Sequence, residues 1–145
     1  MQRGWREEPE ARGGCQCGAL HYRISAGPGK SVVCHCRMCQ RATGNAFAPL
    51  LEVPSGRVTW TGQPAEWASS DIAWRGFCAT CGTPLYYRSG DSTEIMAGTL
   101  APGFAFRPNE SISVESRVDW LGHLPDLPEI PTPATWRVAS RQSPE

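Results

Sequence analysis

The sequence predicts a mainly β domain of antiparallel sheets, stapled by metal and carrying at most one or two short helices. Three observations point there. Glycine and proline, 15 and 13 of 145 residues, cut the chain into short runs. Within those runs apolar residues alternate with a period of two instead of recurring at helical spacing. Leu, Ile, Val and Phe together make up only about one residue in six, yet formal charge is zero and six tryptophans are present. That composition describes a folded chain with a thin aliphatic core, which needs a further staple. Seven cysteines supply the obvious one.

In chain order, residues 1–12 read as a flexible arm, 13–138 as a single domain and 139–145 as a flexible tail. Residues 19–25 alternate, with Leu20, Tyr22 and Ile24 on one face. Further β-like runs cover 47–53, 57–60, 66–69, 72–77, 85–88, 94–100 and 112–116. One helix is expected over 37–43, ending at Gly44 as its C′ residue. The proline-rich stretch 124–133 reads as an extended surface strap, packed down by Trp120 and Trp136. Trp60, Trp67 and Trp74 recur every seven residues. The glycines and proline between them rule out a helix and place them on separate strands.

Charge excludes several function classes. Fourteen basic residues balance fourteen acidic ones, and only one of the basic residues, Lys30, is lysine. No field draws in nucleic acid or an anionic membrane. No apolar stretch approaches the ~18 residues of a membrane helix. The polar N-terminus lacks the apolar segment of a secretory signal, so a cytoplasmic protein is expected.

The cysteines fall into three tight groups, C-Q-C (Cys15, Cys17), C-H-C-R-M-C (Cys34, Cys36, Cys39) and C-A-T-C (Cys78, Cys81). Their odd number, the reducing compartment and the poor geometry of C-x-C pairs all argue against a disulfide framework. Metal ligation fits better, and seven thiols divide as four and three. Gly18 follows Cys17 and Gly82 follows Cys81. A glycine there lets the backbone turn through positive φ, bringing amides toward the sulfurs. Cys15, Cys17, Cys78 and Cys81 then form a closed four-thiolate structural zinc site. Cys34, Cys36 and Cys39 form a second site with three ligands. It is either an open catalytic zinc or a second closed site completed by a histidine, His35 being the nearest. Alternation along an extended 34–36 segment turns His35 away from Cys34 and Cys36 and favours the open site. His21 reads as a surface residue. Arg37, Arg41 and Arg75 flank the cysteine groups and are candidates for binding a substrate anion.

The segments G-G-C-Q-C-G-A-L-H-Y (13–22), C-H-C-R-M-C-Q-R-A-T-G-N-A-F (34–47) and R-G-F-C-A-T-C-G-T-P-L (75–85) resemble the glutathione-dependent formaldehyde-activating enzyme family, whose domain is shared with centromere protein V. The resemblance extends through V-E-S-R-V-D-W (114–120). It implies an Mss4-like β-tent with two zinc ions per chain. Cys15, Cys17, Cys78 and Cys81 would hold the structural ion, and Cys34, Cys36 and Cys39 the catalytic one. It also implies a carbon–sulfur lyase resembling S-(hydroxymethyl)glutathione synthase. Its partners would be a small-molecule thiol and aldehyde, neither nucleic acid nor membrane. Two other expectations stand beside this: a non-catalytic zinc-binding interaction module on the same fold, or a lyase for another thiol–aldehyde adduct.

Overall fold

A computed structural model of the chain describes residues 2–145. Eleven strands are formed: β1 (Arg6–Glu8), β2 (Ala11–Gly14), β3 (His21–Ile24), β4 (Gly27–Cys34), β5 (Ala48–Pro54), β6 (Val58–Thr61), β7 (Ala65–Ala68), β8 (Ala73–Phe77), β9 (Pro84–Ser89), β10 (Ser92–Met96) and β11 (Glu110–Ile112). One α-helix, α1 (Arg37–Thr43), lies between β4 and β5. It occupies the expected span and stops at Gly44, whose φ of 63° places it in the left-handed cap position. Short 3-10 turns cover Ser55–Arg57, Ala97–Thr99, Val114–Ser116 and Asp119–Asp126.

The strands build two sheets. The larger runs β1-β4-β5-β10-β9-β8-β7 and is antiparallel throughout, with β11 added to β4 in parallel. The smaller is β2-β3-β6, antiparallel. The mainly β, antiparallel class is therefore the one observed.

Period-two alternation explains where the core sits. Leu20, Tyr22 and Ile24 of the small sheet pack against Leu51, Val53, Leu85 and Ile95 of the large one. Ile24, Leu51, Val53, Leu85 and Ile95 are each at most 1% exposed, so the main core fills the space between the sheets. The other face of the large sheet carries a smaller cluster of Val32, Cys34, Cys39, Ala48, Leu50 and Met96 beneath α1. Trp60, Trp67 and Trp74 sit on β6, β7 and β8, three separate strands as expected.

Several expectations are corrected. Of the arm expected over 1–12, residue 1 lies outside the described residues and 2–12 are not free: β1 pairs with the Gly27–Gly29 end of β4, β2 pairs with β3, and Glu8 and Ala11 are buried. Their pairing is made by the backbone, and R-E-E and A-R-G-G carry no apolar alternation to announce it. The central strand β4 begins G-P-G-K, which masks it in the same way. Residues 112–116 do not form one strand, because Ser113 takes a positive φ of 54° and starts a 3-10 turn. The strap at 124–133 is partly 3-10, since Asp119–Asp126 is one such turn. Trp120 and Trp136 do not pin it, being 49% and 62% exposed. The tail at 139–145 lies along the first cysteine turn, with the Ser143 amide donating to the Gln16 carbonyl at 2.6 Å.

Candidate metal centre and adjoining cavity

The loop between β2 and β3 presents Cys15 and Cys17, and the loop between β8 and β9 presents Cys78 and Cys81. Their four Sγ atoms all lie within 4.8 Å of one another. Cys15 and Cys17 sulfurs are 3.6 Å apart, and Cys17 and Cys78 sulfurs 3.8 Å. A tetrahedral zinc with Zn–S near ~2.3 Å sets sulfur–sulfur edges of about 3.8 Å, so the four thiols fit such an ion. Gly18 and Gly82 take φ of 77° and 76°, as the sequence implied. Their own amides donate to the carbonyls of Cys15 and Cys78. The donors that reach sulfur come just after each glycine: the Leu20 amide to Cys15 Sγ at 3.3 Å, and the Thr83 hydroxyl beside Cys81 Sγ at 3.1 Å. Burial pushes the Cys81 thiol up, but hydrogen bonds from Thr83 and Cys17 together bring the group down to about 6.

The second group comes from one continuous segment. Cys34 ends β4, Cys36 caps α1, and Cys39 lies in the helix's first turn, with its amide donating to Cys36 Sγ at 3.3 Å. The three sulfurs also fall within 4.8 Å of one another, and no fourth His, Asp or Glu donor joins them among the described residues. His35 is buried and turned to Ser111, its Nε2 2.8 Å from Ser111 Oγ. Burial, helped by the Arg117 charge, lowers its pKa. Alternation along the strand thus places the imidazole where the sequence reading put it, and His21 is exposed on β3.

Gln40, which the sequence reading did not single out, holds this segment. It is 5% exposed, and its Nε2 donates to the carbonyls of His35 at 2.7 Å and Ser116 at 2.9 Å. Its Oε1 accepts from Arg37 Nη1 at 2.5 Å. Arg37 is thereby occupied in supporting the helix turn.

Arg75 has a different place. It is 9% exposed, and its Nη2 donates to Cys39 Sγ at 3.6 Å while the guanidinium stacks over Tyr87. Burial pushes the Cys39 thiol up to about 12 despite that bond. A bare thiolate is costly there, and a bound cation would offset the cost. The three-thiol group with its buried guanidinium donor therefore suits a metal as well.

Strand registers align six side chains on this face of the large sheet: Lys30, Glu52, Glu94, Tyr87, Arg75 and Trp67, on β4, β5, β10, β9, β8 and β7. Glu94 is partly buried beside Glu52, and burial first, then Glu52, raises its carboxyl to about 7. Next to Arg75 and α1 lies a cavity of about 300 Å³. Arg41 and Arg75 contribute to its wall together with Met38, Trp67, Phe77 and Met96, whereas Arg37 does not.

The sequence profile described as "Glutathione-dependent formaldehyde-activating enzyme" matches residues 10–116. The chain belongs to that family. An uncharacterized lyase of Schizosaccharomyces pombe is 33% identical over 112 residues, 76% of this chain and 78% of that protein. A crystal structure of a Rhodobacter sphaeroides protein superposes with a TM-score of 0.54 at 18% identity, covering 65% of this chain and 90% of that one. The latter likeness bears on the fold alone. The family match begins at residue 10, at the edge of β2, and ends at residue 116. It thus spans all seven cysteines, Gln40 and Arg75. The cavity residues Met38, Trp67, Phe77 and Met96 are scattered over α1, β7, β8 and β10, so no local motif could reveal them. No helix of the described residues is long and apolar enough to cross a membrane.

Proposed function

We propose that this protein is a zinc-dependent carbon–sulfur lyase that joins or splits a thiol and a small aldehyde at the Cys34, Cys36 and Cys39 centre. The observation that carries the proposal is the three-sulfur cluster with no fourth protein donor among the described residues, set beside a cavity that shares Arg75 with it. Family membership and the lyase name of the yeast relative support the reaction class. Cys15, Cys17, Cys78 and Cys81 would hold a second, structural zinc.

Zinc bound at the open centre would supply Lewis acidity and lower the pKa of an incoming thiol. The chemistry balances without an oxidant. The thiol gives up its proton, a sulfur lone pair attacks the aldehyde carbon, the carbon–sulfur bond forms, and the former carbonyl oxygen takes up a proton. The reverse reaction splits the adduct. The chain's own groups orient and shield. Arg75 donates to Cys39 Sγ and restrains charge on the sulfur cluster. Gln40 fixes the ligand segment between β4 and β11. Arg41 and Arg75 offer forked donors to a substrate carboxylate, and the apolar wall excludes water. Seven free thiols fit a reducing, cytoplasmic setting.

The test is exchange between formaldehyde and a panel of thiols, followed by NMR at equilibrium with the spontaneous rate subtracted. The wild-type protein should accelerate exchange, and Cys36→Ser should not. Equal acceleration by both would contradict the assignment, and no acceleration by either would favour a non-catalytic zinc module.

A further inference from the structure

The cavity beside the three-thiol centre sorts its wall by chemistry. Trp67, Phe77, Pro84 and Met96 give it apolar surface. Arg41 and Arg75 are its charged groups, and no carboxylate belongs to the lining. Nearby acids do not fill that gap. Glu66 has both oxygens committed, accepting from Tyr86 Oη and Arg88 Nε at 2.6 Å and from Arg88 Nη2 at 2.8 Å. Glu94 shares a face with Arg75 and feels its charge, but it stands two strands away, on the order of 10 Å at the usual strand spacing, and does not line the cavity. Neither Arg41 nor Arg75 has an ion-pair partner among the described residues. Arg75 Nη1 is buried without a hydrogen-bond partner, an unmet donor in a low-dielectric setting.

We infer that the thiol-side ligand of this cavity is an apolar-bodied carboxylate lacking an ammonium group, and not a zwitterionic peptide thiol such as glutathione. The inference deepens the thiol–aldehyde reading above and rests on it for the word "thiol". One carboxylate matches the two guanidiniums, and an aryl or alkyl body matches the wall. Glutathione brings two carboxylates and an ammonium. Its ammonium would leave water for a wall that offers two guanidiniums and no carboxylate, which disfavours it. A space of about 300 Å³ also lies at the small end of ligand cavities.

The experiment is isothermal titration of the metal-loaded full-length protein with phenylbutyrate, with its neutral amide and with glutathione. None of these assays depends on turnover. Phenylbutyrate should bind at least about tenfold tighter than the amide, the scale of a charge-assisted hydrogen bond, and glutathione should not displace it. Arg41 is exposed on the helix, so Arg41→Gln should fold. That variant should weaken phenylbutyrate about tenfold and leave the amide unchanged, which separates cavity recognition from simple carboxylate ligation of the metal. Tighter binding of glutathione than of phenylbutyrate would overturn the inference, and so would an Arg41→Gln protein that binds phenylbutyrate normally. If phenylbutyrate binding and its Arg41 dependence persist while no thiol–aldehyde exchange is accelerated, the lyase proposal fails and the ligand preference of the cavity stands.

Discussion

The two cysteine groups share one ligand type but differ in ligand number and in where their ligands come from. The four-thiol group draws on two loops whose cysteines are up to 66 positions apart in sequence, and it ties the small sheet to the large one at the edge of the main core. The three-thiol group comes from six consecutive residues at the end of β4 and the start of α1, on the outer face of the large sheet. Closing a long loop removes much unfolded-chain entropy, and a four-sulfur shell leaves no position free. A short local segment contributes little to chain closure. On the proposed function, sequence separation of the ligands, and not their chemistry, divides a scaffold role from a reactive one.

The largest effect should come from the scaffold group. Cys78→Ser or Cys81→Ser should abolish cooperative thermal unfolding and lose metal, because a structural zinc contributes on the order of 10 kcal/mol to folding in small domains. Cys36→Ser should instead keep the fold and lose one metal equivalent, as read by elemental analysis and circular dichroism. Equal loss of fold in both would erase the distinction.

Next in size, Gln40→Ala leaves the buried His35 carbonyl and the half-buried Ser116 carbonyl without their donor, at a cost of about 1–3 kcal/mol. Denaturant unfolding should show that loss. Competition with a chelator should show weaker retention of only one of two metals, which sharpens the assignment of Gln40 to the three-thiol side. Arg75→Gln removes the donor to Cys39 Sγ and should reduce affinity at that centre by about 10–100-fold while sparing the other.

The smallest effect concerns Glu94. Its carboxyl is raised to about 7 in the folded protein, against about 4.3 in an unfolded chain. Between those values the folded state binds more protons, so this residue makes stability fall as pH rises through that window. Glu94→Gln should remove the fall and gain stability at pH 8, by about 1–3 kcal/mol at most. The groups around it are Glu52, Lys30, Tyr87 and Arg75, and acid release of metal affects variant and parent alike. The difference between their pH–stability curves is therefore the measurement.

Much of the candidate centre was legible in the sequence because cysteine spacing is local. The four-and-three division followed from Gly18 and Gly82, and their positive φ is observed, although the amides that reach sulfur belong to later residues. Helix α1 was legible from its Gly44 stop, and β3 from its alternation. Strands β1, β2 and β4 were hidden, because R-E-E, A-R-G-G and G-P-G-K pair through backbone groups and carry little apolar pattern. Trp120 and Trp136 misled for the converse reason, since a large apolar side chain does not by itself imply burial. Gln40 was invisible because a glutamine clamp depends on carbonyls brought close only by folding. The row from Lys30 to Trp67 emerges only from the registers of six strands.

The central claim is that one sulfur cluster is closed and the other open. Cobalt(II) substitution tests it directly, because thiolate–cobalt absorption reports each metal's ligands. Titrating the two-cobalt protein with a small thiol should change the bands of one ion and leave the other constant, and Cys36→Ser should abolish the change. Spectra that stay fixed for both ions, or shift for both together, would contradict the account.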